Sequence, residues 1–196
     1  MSGPFGGSAT QYFVGQFDGR KFTCESMPKV TKWLDVPTKQ FRSANSIPRD
    51  LGLFQSGEET YVRVVPSKEL SALRGKKMKK PTEGCEIVVD VKQNTEIVLA
   101  NSKGEQVVMG YNQQKQTFTM DRTKSGDVSF SEAFPSETVA PTYGTTKKLR
   151  IFIDRCSIEA FDAEGKMAMT NLVFPSEPYN MIKVKGGKAT IYEILK

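Results

Sequence analysis

Histidine is absent from the 196 residues. That absence removes Ser-His and Cys-His nucleophilic catalysis and argues against a zinc site of the usual kind. Cysteine is scarce: Cys24, Cys85 and Cys156 lie far apart, without C-x-x-C spacing. An odd count argues against a disulfide framework. Each cysteine sits in or beside an apolar strand pattern and reads as a buried thiol. No apolar run approaches the ~18–20 residues a membrane helix needs, so no membrane partner is expected. Amphipathic helical periodicity is scarce, and no internal repeat or low-complexity tract stands out. The start, Met1-Ser-Gly-Pro-Phe-Gly-Gly-Ser8, has neither a basic cluster nor an apolar core, so no secretion signal is read in it. Nothing in this inventory calls for a metal or a cofactor.

What remains is an ordinary globular composition, 38% hydrophobic and 26% charged, with a net charge of +6. Part of the basic excess falls in Arg74-Gly-Lys-Lys-Met-Lys-Lys-Pro81. Such a run can bind phosphates. No aromatic platform or nucleic-acid motif accompanies it, so it reads as a solvated loop and no nucleic-acid partner is expected.

Short β-rich runs, separated by Gly, Pro, Asn, Asp and Lys, point to an all-β chain. Tyr12–Phe17 and Lys21–Cys24 flank Asp18-Gly19, a strong hairpin signal. Ser46–Leu53 and Thr60–Pro66 form the next extended pair, and Glu69–Leu73 suits one helical turn. Glu86–Val91, Glu96–Ala100, Glu105–Tyr111 and Thr117–Arg122 follow at roughly ten-residue spacing, as sandwich strands do. Leu149–Asp154 and Ser157–Asp162 flank a tight polar turn; Lys166–Leu172, Met181–Lys185 and Ala189–Leu195 complete the set. In Lys148–Asp154 the residues Leu149, Ile151 and Ile153 face one way, Arg150 and Phe152 the other. The expected architecture is a two-sheet antiparallel β-sandwich of the concanavalin or lectin type over residues 46–196. Residues 1–45 hold one hairpin and a linker. An isolated hairpin is marginal in water, so Phe13, Phe17 and Phe22 need cover.

Leu149-Arg-Ile-Phe-Ile-Asp-Arg-Cys-Ser-Ile-Glu-Ala-Phe161 closely resembles the late hairpin of the sandwich that follows the catalytic propeller in glycoside hydrolase family 32, the fructan and sucrose hydrolases. Gly6–Phe22 is similar to the propeller hairpin downstream of that family's catalytic acid, and Trp33-Leu-Asp35 to the start of its final blade. Pro37–Leu51 resembles the passage from propeller to sandwich, and Met120–Gly126 a second sandwich hairpin. The resemblance implies that residues 1–45 are a remnant of a five-bladed propeller. The family places its nucleophilic Asp in Asn-Asp-Pro, a stabilising Asp in Arg-Asp-Pro and its acid/base Glu in Glu-Cys. None of these motifs occurs here: Arg49-Asp50 is followed by Leu51, and Cys24-Glu25 and Cys85-Glu86 run in reverse order. A stretch that the family carries between Trp-Leu-Asp and the Pro-Thr passage is also missing between Asp35 and Val36.

The expected role is therefore a non-catalytic accessory sandwich with no catalytic residue of its own, structural or associative. A retaining glycosidase needs two carboxyls about 5–5.5 Å apart, whereas Asp154, Glu159 and Asp162 sit in or beside a turn. Asp121 and Arg122 read as a strand-end ion pair. A second reading is weak binding of a fructan or other oligosaccharide through Tyr111, Tyr143, Tyr179 and Tyr192. A third is docking to a separate propeller, or self-association, through the 11–24 hairpin. Parent enzymes of this family are often periplasmic or secreted.

Overall fold

The computed structural model describes residues 16–17, 22–23, 36–37 and 45–195. The chain divides into two units, Met1–Ala44 and Asn45–Lys196. In the first, β1 (Gln16–Phe17) and β2 (Phe22–Thr23) pair antiparallel, with Phe17 opposite Phe22. The rest of the 11–24 hairpin, with Phe13, Cys24 and Trp33, lies outside the described residues.

The second unit is built from β-strands and one 3-10 turn, Lys68–Ser71. A hairpin of β3 (Arg49–Ser56) and β4 (Glu59–Pro66) leads into β5 (Arg74–Met78) and the long β6 (Cys85–Ala100). Next come β7 (Gln106–Asn112), β8 (Thr117–Lys124), β9 (Glu137–Pro141), β10 (Lys148–Ile153) and β11 (Ser157–Asp162). The chain ends with β12 (Ala168–Leu172) and the long β13 (Met181–Ile194).

β6 and β13 pair along their whole lengths, from Cys85 opposite Glu193 to Ala100 opposite Met181. On the other side of β6, Cys85–Asp90 pairs with β10, whereas Asn94–Ala100 pairs with β7. One ribbon thus belongs to two sheets. The first runs β12-β11-β10-β6-β13-β5, and the second runs β13-β6-β7-β8-β9. The ribbon turns from one to the other at a bulge, where β13 advances from Lys185 to Gly187 as β6 moves from Glu96 to Val91. Gly186 has φ +70°, and a Cβ there would stand 1.9 Å from the Asn94 carbonyl oxygen; one on Gly187 would stand 2.7 Å from that of Asp90. The backbones therefore meet with no room for a side chain. Thr95, 3% exposed, stitches the corner: its hydroxyl accepts from the Lys92 N–H at 3.0 Å and donates to the Gly186 carbonyl at 2.7 Å.

Folding the ribbon brings the inward faces together. Ile87, Val89, Ile97 and Leu99 of β6 meet Val107, Met109, Phe118, Met120, Leu149, Ile151 and Ile158, all fully buried. Each such side chain contributes about 1.5–3 kcal/mol by leaving water. Phe130 and Phe134 of the loop between β8 and β9 cluster with Phe174, just after β12, and the Arg122 guanidinium lies 4.2 Å from the Phe134 ring centroid. The β3–β4 hairpin lies on the β11–β12 turn, the Val64 N–H donating to the Gly165 carbonyl at 2.9 Å.

The sandwich matches the expected fold, with four differences. Glu86–Val91 and Glu96–Ala100 are one strand, because Lys92–Thr95 forms a bulge rather than a connection. Met181–Lys185 and Ala189–Leu195 likewise join as one strand. Arg74–Met78 is no loop: it adds to the edge of β13. β9 was hidden by its short Thr-Val-Ala centre before a proline and is held by β8.

The corner sets a stability test. Gly186→Ala meets both the left-handed penalty and a backbone overlap, and should cost about 3 kcal/mol or more. Gly57, at φ +63° with open space around its Cβ position, should cost only about 1–2 kcal/mol as alanine. Urea unfolding of the two variants measures the difference; equal losses would show that the corner is not tight.

Candidate functional site

The outward face of the first sheet is unusual for a sandwich. Because Leu149, Ile151 and Ile153 enter the core, Arg150 and Phe152 point out; β11 likewise turns Glu159 and Phe161 outward. Register then lays Thr170, Glu159, Phe152, Glu86, Tyr192 and Lys77 side by side across six strands. Outward faces of antiparallel sheets are commonly solvated. Here Glu86 and Phe161 are 0% exposed and Glu159 is 3% exposed.

Three arginines make that burial tolerable, each pairing with an acid and lying over a ring. Arg74 donates to both Glu86 oxygens, Nε to Oε2 and Nη2 to Oε1, at 2.9 Å each. Arg150 Nε donates to Glu86 Oε1 at 2.6 Å. Arg49 pairs with Glu159 and donates to Thr170 Oγ1 at 2.8 Å, while the Ile47 N–H reaches the other Glu159 oxygen at 2.9 Å. The guanidinium carbons lie 4.5 Å from the Tyr192 ring centroid for Arg74, 5.2 Å from Phe152 for Arg150 and 5.1 Å from Phe161 for Arg49. Arg150 Nη2 and Arg49 Nε are buried and have no partner among the described residues. The face therefore carries unspent donors.

Beside it stands the β3–β4 hairpin. Its register places Leu51 opposite Val64 and Leu53 opposite Val62, so these four share one face. Leu51 is 72% exposed and Leu53 69%. The opposite face packs inward: Phe54, Tyr61 and Tyr143 cluster with centroids 4.4–5.5 Å apart. The Tyr61 hydroxyl donates to Glu59, the leading reason that its pKa is pushed up to about 12.

The four tyrosines expected at a glycan surface do not share one. Tyr111 and Tyr179 are 2% exposed, and their hydroxyls are engaged inside the sandwich. Tyr111 accepts from the Thr146 N–H at 2.9 Å, and Tyr179 donates to the Ser125 carbonyl. Neither can offer a ring face to a sugar: an inward strand position carries Tyr111 into the core, and the connection between β12 and β13 carries Tyr179 there. Tyr143 is spent on the hairpin cluster, and Tyr192 lies under Arg74. Sequence reasoning missed Glu86 and its arginines. The available signal was a charge inside each of two apolar strands, Cys-Glu-Ile-Val-Val and Leu-Arg-Ile-Phe-Ile, at positions the register pairs diagonally.

The carboxylates do not assemble into a hydrolytic pair among the described residues. Glu86 and Glu159 are each neutralised by arginine. Asp162 projects to the opposite face of β11 from Glu159, accepting from the Glu164 N–H at 2.9 Å and the Thr146 hydroxyl at 3.3 Å. Its burial holds its carboxyl above the ordinary aspartate range. Burial also raises the Cys85 thiol, in line with a buried, unreactive cysteine. Cys156 is half-buried, also raised by desolvation. No group of three His, Cys, Asp or Glu with metal-binding potential occurs among the described residues.

Two measurements follow from this geometry. Glu86→Ala leaves two guanidinium groups facing each other and should cost about 3–5 kcal/mol in urea unfolding. Lys76→Ala removes a pair 4.0 Å apart whose lysine is 79% exposed, and should change stability by less than about 1 kcal/mol. The Asp162 contribution favours folding fully below the unfolded aspartate value of about 3.9 and is lost as pH rises through the raised folded value. Asp162→Asn removes that loss, so its stability relative to the parent chain should climb with pH above about 4. Paired unfolding curves across pH test it; a flat difference would contradict the assignment.

The comparisons with known proteins agree with this fold. A family model described as glycosyl hydrolases family 32 C terminal matches residues 55–195. The extracellular exo-inulinase of Aspergillus awamori is 30% identical, over 87% of this chain and 44% of its own length. The levanase of Bacillus subtilis is 32% identical, over 87% of this chain and 34% of its own. The alignment to the inulinase spans 234 positions against 196 residues here, so the relative carries internal sequence that this chain lacks. Among solved structures, the Aspergillus awamori exo-inulinase superposes with a TM-score of 0.73 at 26% identity, over 95% of this chain and 50% of that one. A fructofuranosidase from Schwanniomyces occidentalis complexed with fructose shares the fold at TM-score 0.63 and 22% identity, over 99% and 55%. This chain spans less than half the length of the two curated relatives. The chain belongs to the C-terminal sandwich family of the family 32 glycosyl hydrolases.

Proposed function

We propose that this sandwich is a non-catalytic accessory module of a fructan- or sucrose-hydrolysing enzyme of family 32, and that it packs on and steadies a catalytic domain. The observation that carries the reading is Glu86, shut off from water on an outward sheet face between Arg74 and Arg150. Paired charges at that depth suit a face meant for contact rather than for solvent. The apolar face of Leu51, Leu53, Val62 and Val64 supports it further, since exposed apolar patches mark interaction surfaces. The occupant is inferred from the relatives, whose names are those of fructan-degrading enzymes and whose chains extend well beyond the matched part. Activity itself would reside elsewhere, because a site rather than a fold carries chemistry.

The purified chain should release no sugar from sucrose, inulin or levan above background. Mixed with a separately produced catalytic domain of the family, it should co-sediment, and Leu51→Asp with Leu53→Asp should weaken that association at least tenfold. Turnover by the chain alone would overturn the reading, as would binding indifferent to both substitutions.

A further inference from the structure

The second sheet carries a groove on its outward face, at the end of β6 away from Glu86, with the backbone of the inward-pointing Tyr111 in its floor. Two adjacent rows build it. Register sets Lys185, Glu96, Gly110 and Thr119 side by side across β13, β6, β7 and β8. The next row holds Asn94, Asn112 and Thr117. Between them Thr95, Tyr111 and Phe118 point inward and make the floor rigid. Cross-strand neighbours lie about 5 Å apart, and residues i and i+2 about 7 Å apart. Gly110 carries no side chain, and a shallow pit opens there beside the Thr119 hydroxyl, which stands 3.0 Å from the place of a Gly110 Cβ. The depression is shallow and open to solvent, with a volume of about 430 Å³, room for one small ring rather than an enclosing pocket.

Its chemistry is that of hydroxyl recognition. The Glu96 carboxylate is held by Lys185 at 3.0 Å, which fixes two acceptor oxygens at the rim. Asn112 Oδ1 accepts from the Lys115 N–H at 2.9 Å, an arrangement that orients the amide and leaves its two N–H donors free. The Asn94 amide and the Thr117 hydroxyl complete the polar lining. Planar carboxylate and amide groups that both accept and donate match vicinal hydroxyls, and the lining sets Glu96 beside Lys185 and Lys115. A flat apolar ligand would leave these groups unpaired; an anion would meet Glu96 but also Lys115 and Lys185, which makes phosphate the necessary control. We propose that this groove holds one ring of a neutral sugar, making the sandwich a weak carbohydrate-binding module in its own right. The site involves none of the residues invoked for docking to a catalytic domain, so either idea can fail alone.

The test is an amide-shift titration of the whole chain by NMR, using fructose, sucrose and a fructo-oligosaccharide in turn, with inorganic phosphate as the anionic control. Saturable millimolar shifts should map to residues 94–96, 110–119 and 185–186. Gly110→Leu fills the pit and should abolish them; a Cβ there would first meet the movable Thr119 hydroxyl at 3.0 Å. Should that variant unfold, Glu96→Gln keeps the shape and should weaken binding about tenfold, the loss of one charge-assisted hydrogen bond. No saturable shift with any sugar would sink the proposal. So would shifts centred on Tyr61 and Tyr143, a response to phosphate alone, or undiminished binding by Glu96→Gln.

Discussion

The rest of the sandwich depends on one strand being long enough to serve two sheets. β6 lends its first half to β10 and its second to β7, with β13 beside it throughout. A ribbon shared in this way cannot stay straight, because its inward side chains must face one another across a single core. The turn is made where Gly186 touches the Asn94 carbonyl and Thr95 ties the strands together. Any side chain at Gly186 would push the two backbones apart and open the layers on either side. The geometry of both outward faces follows from that contact. On one side of the bend the register gathers Glu86, Phe152 and Tyr192; on the other it gathers Glu96, Gly110 and Thr119.

The two faces solve the problem of outward exposure in opposite ways. The second sheet keeps its polar groups wet and short, with threonine, asparagine and glycine near its centre. The first sheet buries its charges and covers them with arginine planes. A guanidinium can do this because one side bonds a carboxylate while its flat face lies on an aromatic ring. Lysine at 74, 150 or 49 could neutralise the acids but could not stack in the same way. The difference makes the first face a surface of fixed groups and the second a solvated one.

Much of this was legible beforehand, and the reasons are specific. The Leu149–Phe161 hairpin reads cleanly because strict alternation and a polar turn coincide, and β10 and β11 form where that pattern places them. The family resemblance starts from the same segment and is carried further by Gly6–Phe22, Pro37–Leu51 and Met120–Gly126, in that order along the chain. β6 was split in two because Lys92-Gln-Asn-Thr95 has the composition of a turn, while its conformation is dictated by the glycine pair of β13 ninety residues away. The basic run at 74–78 has no apolar alternation; only the open edge of β13 makes it a strand. Tyrosine chemistry suits a sugar surface, but side-chain parity turns Tyr111 away from one: it shares the inward register of Met109, and β7 admits no exception. Glu86 escaped notice because a glutamate in an apolar run is ordinary until its two arginines arrive from other strands.

A buried ion pair is weak grounds for stability, since desolvating the charges consumes most of what their attraction returns. A triad of two arginines and one glutamate would be matched in an isolated sandwich by apolar residues of similar volume. What the triad supplies instead is direction. Each guanidinium is held at a set angle by its carboxylate and its ring, and Arg150 retains a donor that no described residue uses. An unsatisfied donor of that kind is costly in a finished fold and useful in an unfinished one, because a carbonyl or carboxylate from a neighbouring domain can complete it. The apolar hairpin face of Leu51 and Leu53 has the same character: expensive in water, favourable once covered. Two independent surface features of one unit, one polar and one apolar, are thus each costly when left in water and less so when covered.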